Sequence, residues 1–125
     1  MRYFKFAEFL KSTTADRRGI QNFPTTTSVI ENLITLGDNV LDPLRSAMGF
    51  PIIISSGFRC PELNEAVGGA KNSYHLQGRA ADIDCGNMAK NKKVYDFLYC
   101  HKCEGTMPIK ELLWEGGGKW VHVAI

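Results

Sequence analysis

Two histidines and an aspartate, His75, Asp82 and His122, are the side chains of this sequence best suited to hold a divalent metal ion. A catalytic zinc site takes three protein ligands and keeps a fourth position open for water. Two imidazoles and one carboxylate meet that count. They leave the ion a net positive charge, which lowers the pKa of a bound water. The same residues also admit a plainer reading, a solvated His–Asp pair with no metal.

The elements around them decide whether they can meet. Arg79 to Cys85 alternates as a strand does, with Ala81, Ile83 and Cys85 on one face and Ala80, Asp82 and Asp84 on the other. Trp120 to Ile125 alternates likewise, with Val121, Val123 and Ile125 facing a core and Trp120, His122 and Ala124 opposite. If both strands lie in one sheet, Asp82 and His122 point into the same space. His75 lies in the loop that feeds the first of these strands, from Lys71 to Gly78, and Gly78 lets that loop turn back. Glu111 to Trp114 pairs with the last strand across Gly116-Gly117-Gly118.

Upstream, residues 3–11 read as a short amphipathic helix and Ser12 to Thr27 as a surface loop. Ser28-Val29-Ile30-Glu31 has capping-box spacing and starts a helix. Its core stripe is Val29, Leu33, Leu36, Val40, Leu44 and Ala47. Gly37 and Pro43 predict a kink or break, and Gly49 a stop. Residues 51–55 form a β-branched strand, Pro61 to Val67 a short helix, and Asn87 caps a helix to about Cys103 with Val94, Phe97 and Leu98 on its apolar stripe. The expected class is α+β, with a small, mostly antiparallel sheet flanked by helices.

The string Ser73-Tyr74-His75-Leu76-Gln77-Gly78-Arg79-Ala80-Ala81-Asp82 reproduces S-x-H-x-x-G-x-A-x-D. It resembles the signature of the zinc D-alanyl-D-alanine carboxypeptidase family, which includes phage endolysin peptidases and shares its fold with the hedgehog signalling domain. Ser56-Gly57-Phe58-Arg59 resembles the family's S-G-[YF]-R segment, and Trp120-Val121-His122-Val123 its closing metal-binding strand. The resemblance runs from about residue 14 to the end, with the segments in order. It implies one Zn2+ held by His75, Asp82 and His122, and Arg59 as the substrate-binding arginine. A guanidinium pairs bidentately with a carboxylate and can also stabilise a carbonyl oxygen as charge builds there. A surface ion pair is the plainer role for Arg59.

Many relatives place a catalytic Glu or His three residues before the last ligand, but here that residue is Lys119. The nearest upstream carboxylate is Glu115, expected to act as general base if the turn brings it beside His122. Ser73 is a candidate substrate contact, with backbone capping as its alternative. Asp84 reads as an orienting partner or a solvated residue. His101 suits a helix C-terminus without a function. One of Trp114 and Trp120 is a candidate cleft wall. The implied substrate is the peptidoglycan stem peptide, cut in the manner of a D-Ala-D-Ala carboxypeptidase or an L-Ala-D-Glu endopeptidase. A zinc-holding binding module that has lost turnover is the alternative.

Composition fits one domain over residues 1–125 and sets the limits on partners. A net charge of +2, from 15 basic and 13 acidic residues, is too weak to argue for nucleic acid. No apolar run is long enough to span a bilayer. Lys5 and Glu8 interrupt the stretch a secretory signal would need, so the expectation is synthesis in the cytoplasm and action on the cell wall after release or export. A monomer is expected. Cys60, Cys85, Cys100 and Cys103 read as reduced, partly buried thiols. The Cys100-x-x-Cys103 pair keeps open a second possibility, a cysteine-based zinc or redox site.

Overall fold

The computed structural model describes residues 1–125. Five helices accompany one four-stranded antiparallel sheet. The α+β architecture expected from the sequence is the one observed.

The helical half comes first. A 3-10 turn, Phe6–Phe9, sinks the Phe9 ring completely. Helix α1, Thr13–Arg18, follows where the sequence reads as a surface loop. Ser12 caps its start by accepting from the Ala15 N–H at 3.2 Å, and Gly19 closes it at φ 66°. Ala15 is its one buried residue, so it has no apolar stripe that periodicity can reveal.

Helix α2, Thr27–Leu36, starts two residues before the Ser28 box because Thr26 caps it, its hydroxyl accepting from the Val29 N–H. The expected irregularity at Gly37 and Pro43 is present as a π turn, Gly37–Leu41, running into α3, Asp42–Met48. The Asp42 N–H donates to the Gly37 carbonyl five residues back, and Pro43 has no N–H to donate. Widening by one residue keeps Leu33, Leu36, Val40 and Leu44 on one fully buried stripe. Ala47 is exposed on the last turn before Gly49, so the stripe ends at Leu44.

The sheet has the order β1-β2-β4-β3. Strand β1, Ile54–Ser56, begins later than the β-branched run, and a bulge between Ile54 and Ser56 sets its pairing with β2. Helix α4, Pro61–Ala66, follows, then β2, Ala80–Ile83. Helix α5, Met88–Glu104, is capped by Asn87, which accepts from the Lys90 N–H at 2.8 Å. Strands β3, Glu111–Glu115, and β4, Trp120–Ala124, close the chain as a hairpin.

One face of the sheet belongs to the core: Ala81, Ile83, Val121 and Val123 join the stripe of α2 and α3 and Val94 and Leu98 of α5. Strand parity then commits the opposite face to everything else. No helix is long and apolar enough to cross a membrane. All four cysteines are free; Cys85 is buried and Cys60 half-buried, but Cys100 and Cys103 are exposed rather than partly buried. They lie at positions of α5 turned from the core.

Candidate metal centre

Antiparallel register sets Asp82 of β2 directly opposite His122 of β4, in the two central strands. That pairing alone aims a carboxylate and an imidazole into one space. His75 arrives from outside the sheet on a 3-10 turn, Tyr74–Gln77. Ser73 caps this turn by accepting from the His75 N–H at 3.2 Å, and Gly78 ends it at φ 71°.

Each donor is aimed by a partner of its own. His75 is only 3% exposed, and its Nδ1 donates to the Gly57 carbonyl at 2.7 Å. That fixes the ring's orientation and turns Nε2 toward Asp82. The carbonyl is itself held in place by close backbone packing: a Cβ on Gly57 would fall 2.5 Å from the Phe9 oxygen. Asp82 Oδ1 lies 3.3 Å from His75 Nε2 and 2.9 Å from His122 Nδ1, while Oδ2 faces Arg59 Nη2 at 3.5 Å. His122 therefore uses the opposite ring nitrogen from His75, and its Nε2 lies 2.6 Å from Glu111 Oε1.

These distances test whether a zinc ion fits. Ligand atoms about 2.1 Å from a tetrahedral centre are about 3.4 Å apart along each edge. The observed 2.9 and 3.3 Å separations are close to that edge, and one ligand atom from each of the three residues lies within 4.8 Å of the others. The donor set, two nitrogens and one oxygen with no sulfur, is that of a catalytic rather than a cysteine-rich structural site. No other group of three or more potential ligands occurs in the chain, so no further His, Asp or Glu joins Cys100 and Cys103.

The electrostatics run with the geometry. Burial alone would push the Asp82 carboxyl up, but hydrogen bonds from His122 and His75 hold it well below the usual carboxylate range. Burial works against a charged His122, yet the carboxylates of Asp82 and Glu111 outweigh it and raise its pKa. Burial lowers the pKa of Arg59, with Asp82 opposing; the guanidinium stays charged.

A cleft of about 490 Å³ opens over the three donors, lined among others by Arg59, Ser73, Glu111, Glu115 and Trp120. Arg59 is tethered at three points: Nε donates to Ser56 Oγ at 3.2 Å, Nη1 to Asn64 Oδ1 at 3.3 Å, and Nη2 to Asp82. It is thus a fixed cation at the cleft wall rather than a loose surface pair. Glu115 ends β3 opposite Trp120, half-buried in the cleft wall, and takes part in no side-chain hydrogen bond or ion pair. Ser73 lines the cleft, but its hydroxyl is engaged in capping the His75 turn.

The remaining sequence candidates lie elsewhere. Asp84 accepts from the Gly86 N–H and from Asn91 Nδ2, at the far end of β2. His101, in the last turn of α5, meets Thr106 Oγ1 beyond the helix end through its Nδ1. Trp120 is the cleft-wall tryptophan; Trp114 packs edge-on against Tyr95 on the core side. Lys119 is exposed on the hairpin turn and does not line the cleft.

Two residues at the site are absent from the sequence reading. Asn64, 5% exposed, anchors both Arg59 and the Ala70 carbonyl. Glu111 shares the face of β3 with Leu113 and Glu115, and the register pairs Leu113 with His122. That alternation was a usable signal: a hairpin pairing residue 113 with residue 122 must place Glu111 and Glu115 on either side of the histidine.

A family model described as Peptidase M15 matches residues 2–124. A zinc D-Ala-D-Ala carboxypeptidase of Streptomyces albus G is 48% identical over 49 residues, which is 38% of this chain and 19% of that protein. The chain thus spans about a fifth of the length of this curated relative.

Proposed function

Because the chain belongs to the peptidase M15 family, we propose that its cleft hydrolyses a peptide bond of the bacterial peptidoglycan stem peptide in a zinc-dependent reaction. The bond class is that of a D-Ala-D-Ala carboxypeptidase or an L-Ala-D-Glu endopeptidase. The name of the Streptomyces relative favours the first. The observation that carries the reading is the convergence of His75 Nε2, Asp82 Oδ1 and His122 Nδ1 beneath an open cleft whose wall holds an unpartnered carboxylate.

In this reading His75, Asp82 and His122 hold the ion. Zinc, when bound, supplies a Lewis acid that polarises a carbonyl and makes a water molecule acidic. The chain does the rest. Glu115 accepts the proton of the attacking water on its carboxylate and passes it to the leaving amine. Its lack of partners suits a group that must gain and release a proton each turnover. Arg59 fixes a substrate carboxylate or the carbonyl oxygen, already oriented by Ser56 and Asn64. Trp120 offers an apolar wall. Ser73 contributes by holding the His75 turn, with a substrate contact as a further part of the proposal. The enzyme acts as a monomer, in the manner of a phage-type lytic peptidase that meets the wall after release or export.

The test is mass spectrometry of stem-peptide digests made by the purified chain with and without chelator. A single new product that vanishes with chelator and returns with zinc is expected. Zinc binding without any cleavage product would overturn the hydrolase reading and leave a cell-wall binding module.

A further inference from the structure

Two carboxylates, Glu111 and Glu115, face the cleft from one strand, and only Glu111 is engaged. Its Oε1 lies 2.6 Å from His122 Nε2, although Glu111 pairs with Ala124 rather than His122. It reaches diagonally across the hairpin, a distance that long side chains cover. The two nitrogens of an imidazole point to opposite sides of the ring. With Nδ1 turned to Asp82, the Glu111 carboxylate sits behind His122, away from the position where the three donors meet.

From this we infer that Glu111 is a positioning residue for the metal centre: it accepts the Nε2–H of His122 and so fixes the ring's rotation and tautomer with Nδ1 free to ligate. The inference rests on the proposal that His75, Asp82 and His122 hold the ion. His75 provides the internal parallel. Its ring is reversed, Nε2 toward Asp82, and its outward nitrogen is fixed by the Gly57 carbonyl. One imidazole is thus held by a neutral backbone oxygen and the other by a full negative charge. A carboxylate behind a ligating histidine makes that histidine the stronger donor. The arrangement also divides the labour on β3. Glu111 spends its charge on His122, which leaves Glu115 as the carboxylate free to move protons.

The test uses the full chain and zinc alone, read by competition with a chromogenic chelator and by proton–nitrogen correlation spectra of the histidine rings in the zinc-loaded protein. Glu111→Ala is expected to weaken zinc binding about 10- to 100-fold. It should also speed solvent exchange of the His122 Nε2 proton while leaving the His75 signals in place. Glu111→Gln keeps an acceptor oxygen without the charge. It should recover part of the affinity and the Nε2-protonated tautomer, an outcome that mere loss of folding cannot imitate. Zinc binding by Glu111→Ala equal to wild type, with unmoved His122 signals, would overturn the inference and leave the metal site standing. Unchanged zinc affinity in Glu111→Gln together with a loss of turnover as large as that of Glu115→Gln would instead make Glu111 the base. Failure of the wild-type chain to bind zinc, or undiminished binding in His75→Ala, would remove the site itself.

Discussion

Replacing Asp82 by Asn changes one oxygen to an amide nitrogen and removes the charge on which the site converges. Asp82 is 9% exposed and answers both His122, at 2.9 Å, and Arg59, at 3.5 Å. Losing a hydrogen bond between charged groups costs about 1.5–3 kcal/mol. A 125-residue chain has an unfolding entropy of about 0.26 kcal/mol/K, so each kcal/mol moves Tm by about 4 °C. The metal-free variant should therefore melt about 6–12 °C below metal-free wild type. Zinc at a hundred times its Kd should stabilise wild type by about 2.7 kcal/mol, a rise of about 10 °C. If Asp82→Asn weakens binding a hundredfold, the same zinc concentration yields only about 0.4 kcal/mol, or under about 2 °C. Differential scanning calorimetry of both proteins, with chelator and with zinc, measures all four values. A zinc-induced rise that survives in Asp82→Asn but disappears when Cys100 and Cys103 are both replaced by Ser would refute the reasoning, because the ion would then reside on α5.

Glu115→Gln should lower kcat about 10²- to 10⁴-fold with zinc affinity little changed, measured by peptide turnover and chelator competition; loss of zinc instead would show Glu115 to be structural. The raised pKa of His122 makes a pH prediction for the metal-free protein. Its contribution to stability is complete below its ordinary value of 6.5 and is lost as pH rises through the higher folded value, so Tm with chelator should fall as pH rises from 6.5 through that value. Zinc affinity should rise over the same interval, since His122 must give up a proton to ligate; a flat profile for both would contradict the assignment. Gly78→Ala should cost at least about 1–2 kcal/mol in urea unfolding, because at φ 71° its Cβ would meet the Val29 oxygen at 2.7 Å; wild-type stability would show that the turn holding His75 is free to shift.

What could be read from the sequence was set by the range of the forces involved. The candidate metal donors were accessible because their placement is local. Strand parity puts Asp82 opposite in sense to Ala81 and Ile83, and it puts His122 opposite in sense to Val121 and Val123. The α5 cap at Asn87 and the widening between Gly37 and Pro43 are equally local consequences of residue chemistry. Helix α1 stayed hidden because a helix that buries only Ala15 leaves no apolar period. Glu111 was missed because its role depends on a diagonal reach across the hairpin, and the Gly57 carbonyl because it is placed by packing on Phe9, far away in the chain. Asn91 is a further case. An asparagine inside a helix reads as a surface residue, yet it is 1% exposed, accepts from the Cys85 N–H and donates to the Gly118 carbonyl. It ties the end of β2 to the turn of the hairpin that carries Glu115 and His122.

These long-range tethers bear on how the metal relates to the fold. In a zinc finger the ion supplies the folding energy, and its ligands have no fixed arrangement without it. Here every donor is aimed by something other than the ion: His75 by the Gly57 carbonyl, His122 by Glu111 and Asp82 by Arg59, all on a sheet whose opposite face is a complete hydrophobic core. The desolvation of the buried Asp82 carboxylate is met by charge already present, since it faces a guanidinium and an imidazole. If His75, Asp82 and His122 hold zinc, the ion would meet donors that the protein's own contacts already orient. The fourth direction would then open toward the cleft, where Glu115 takes part in no side-chain hydrogen bond or ion pair and would be free for the substrate.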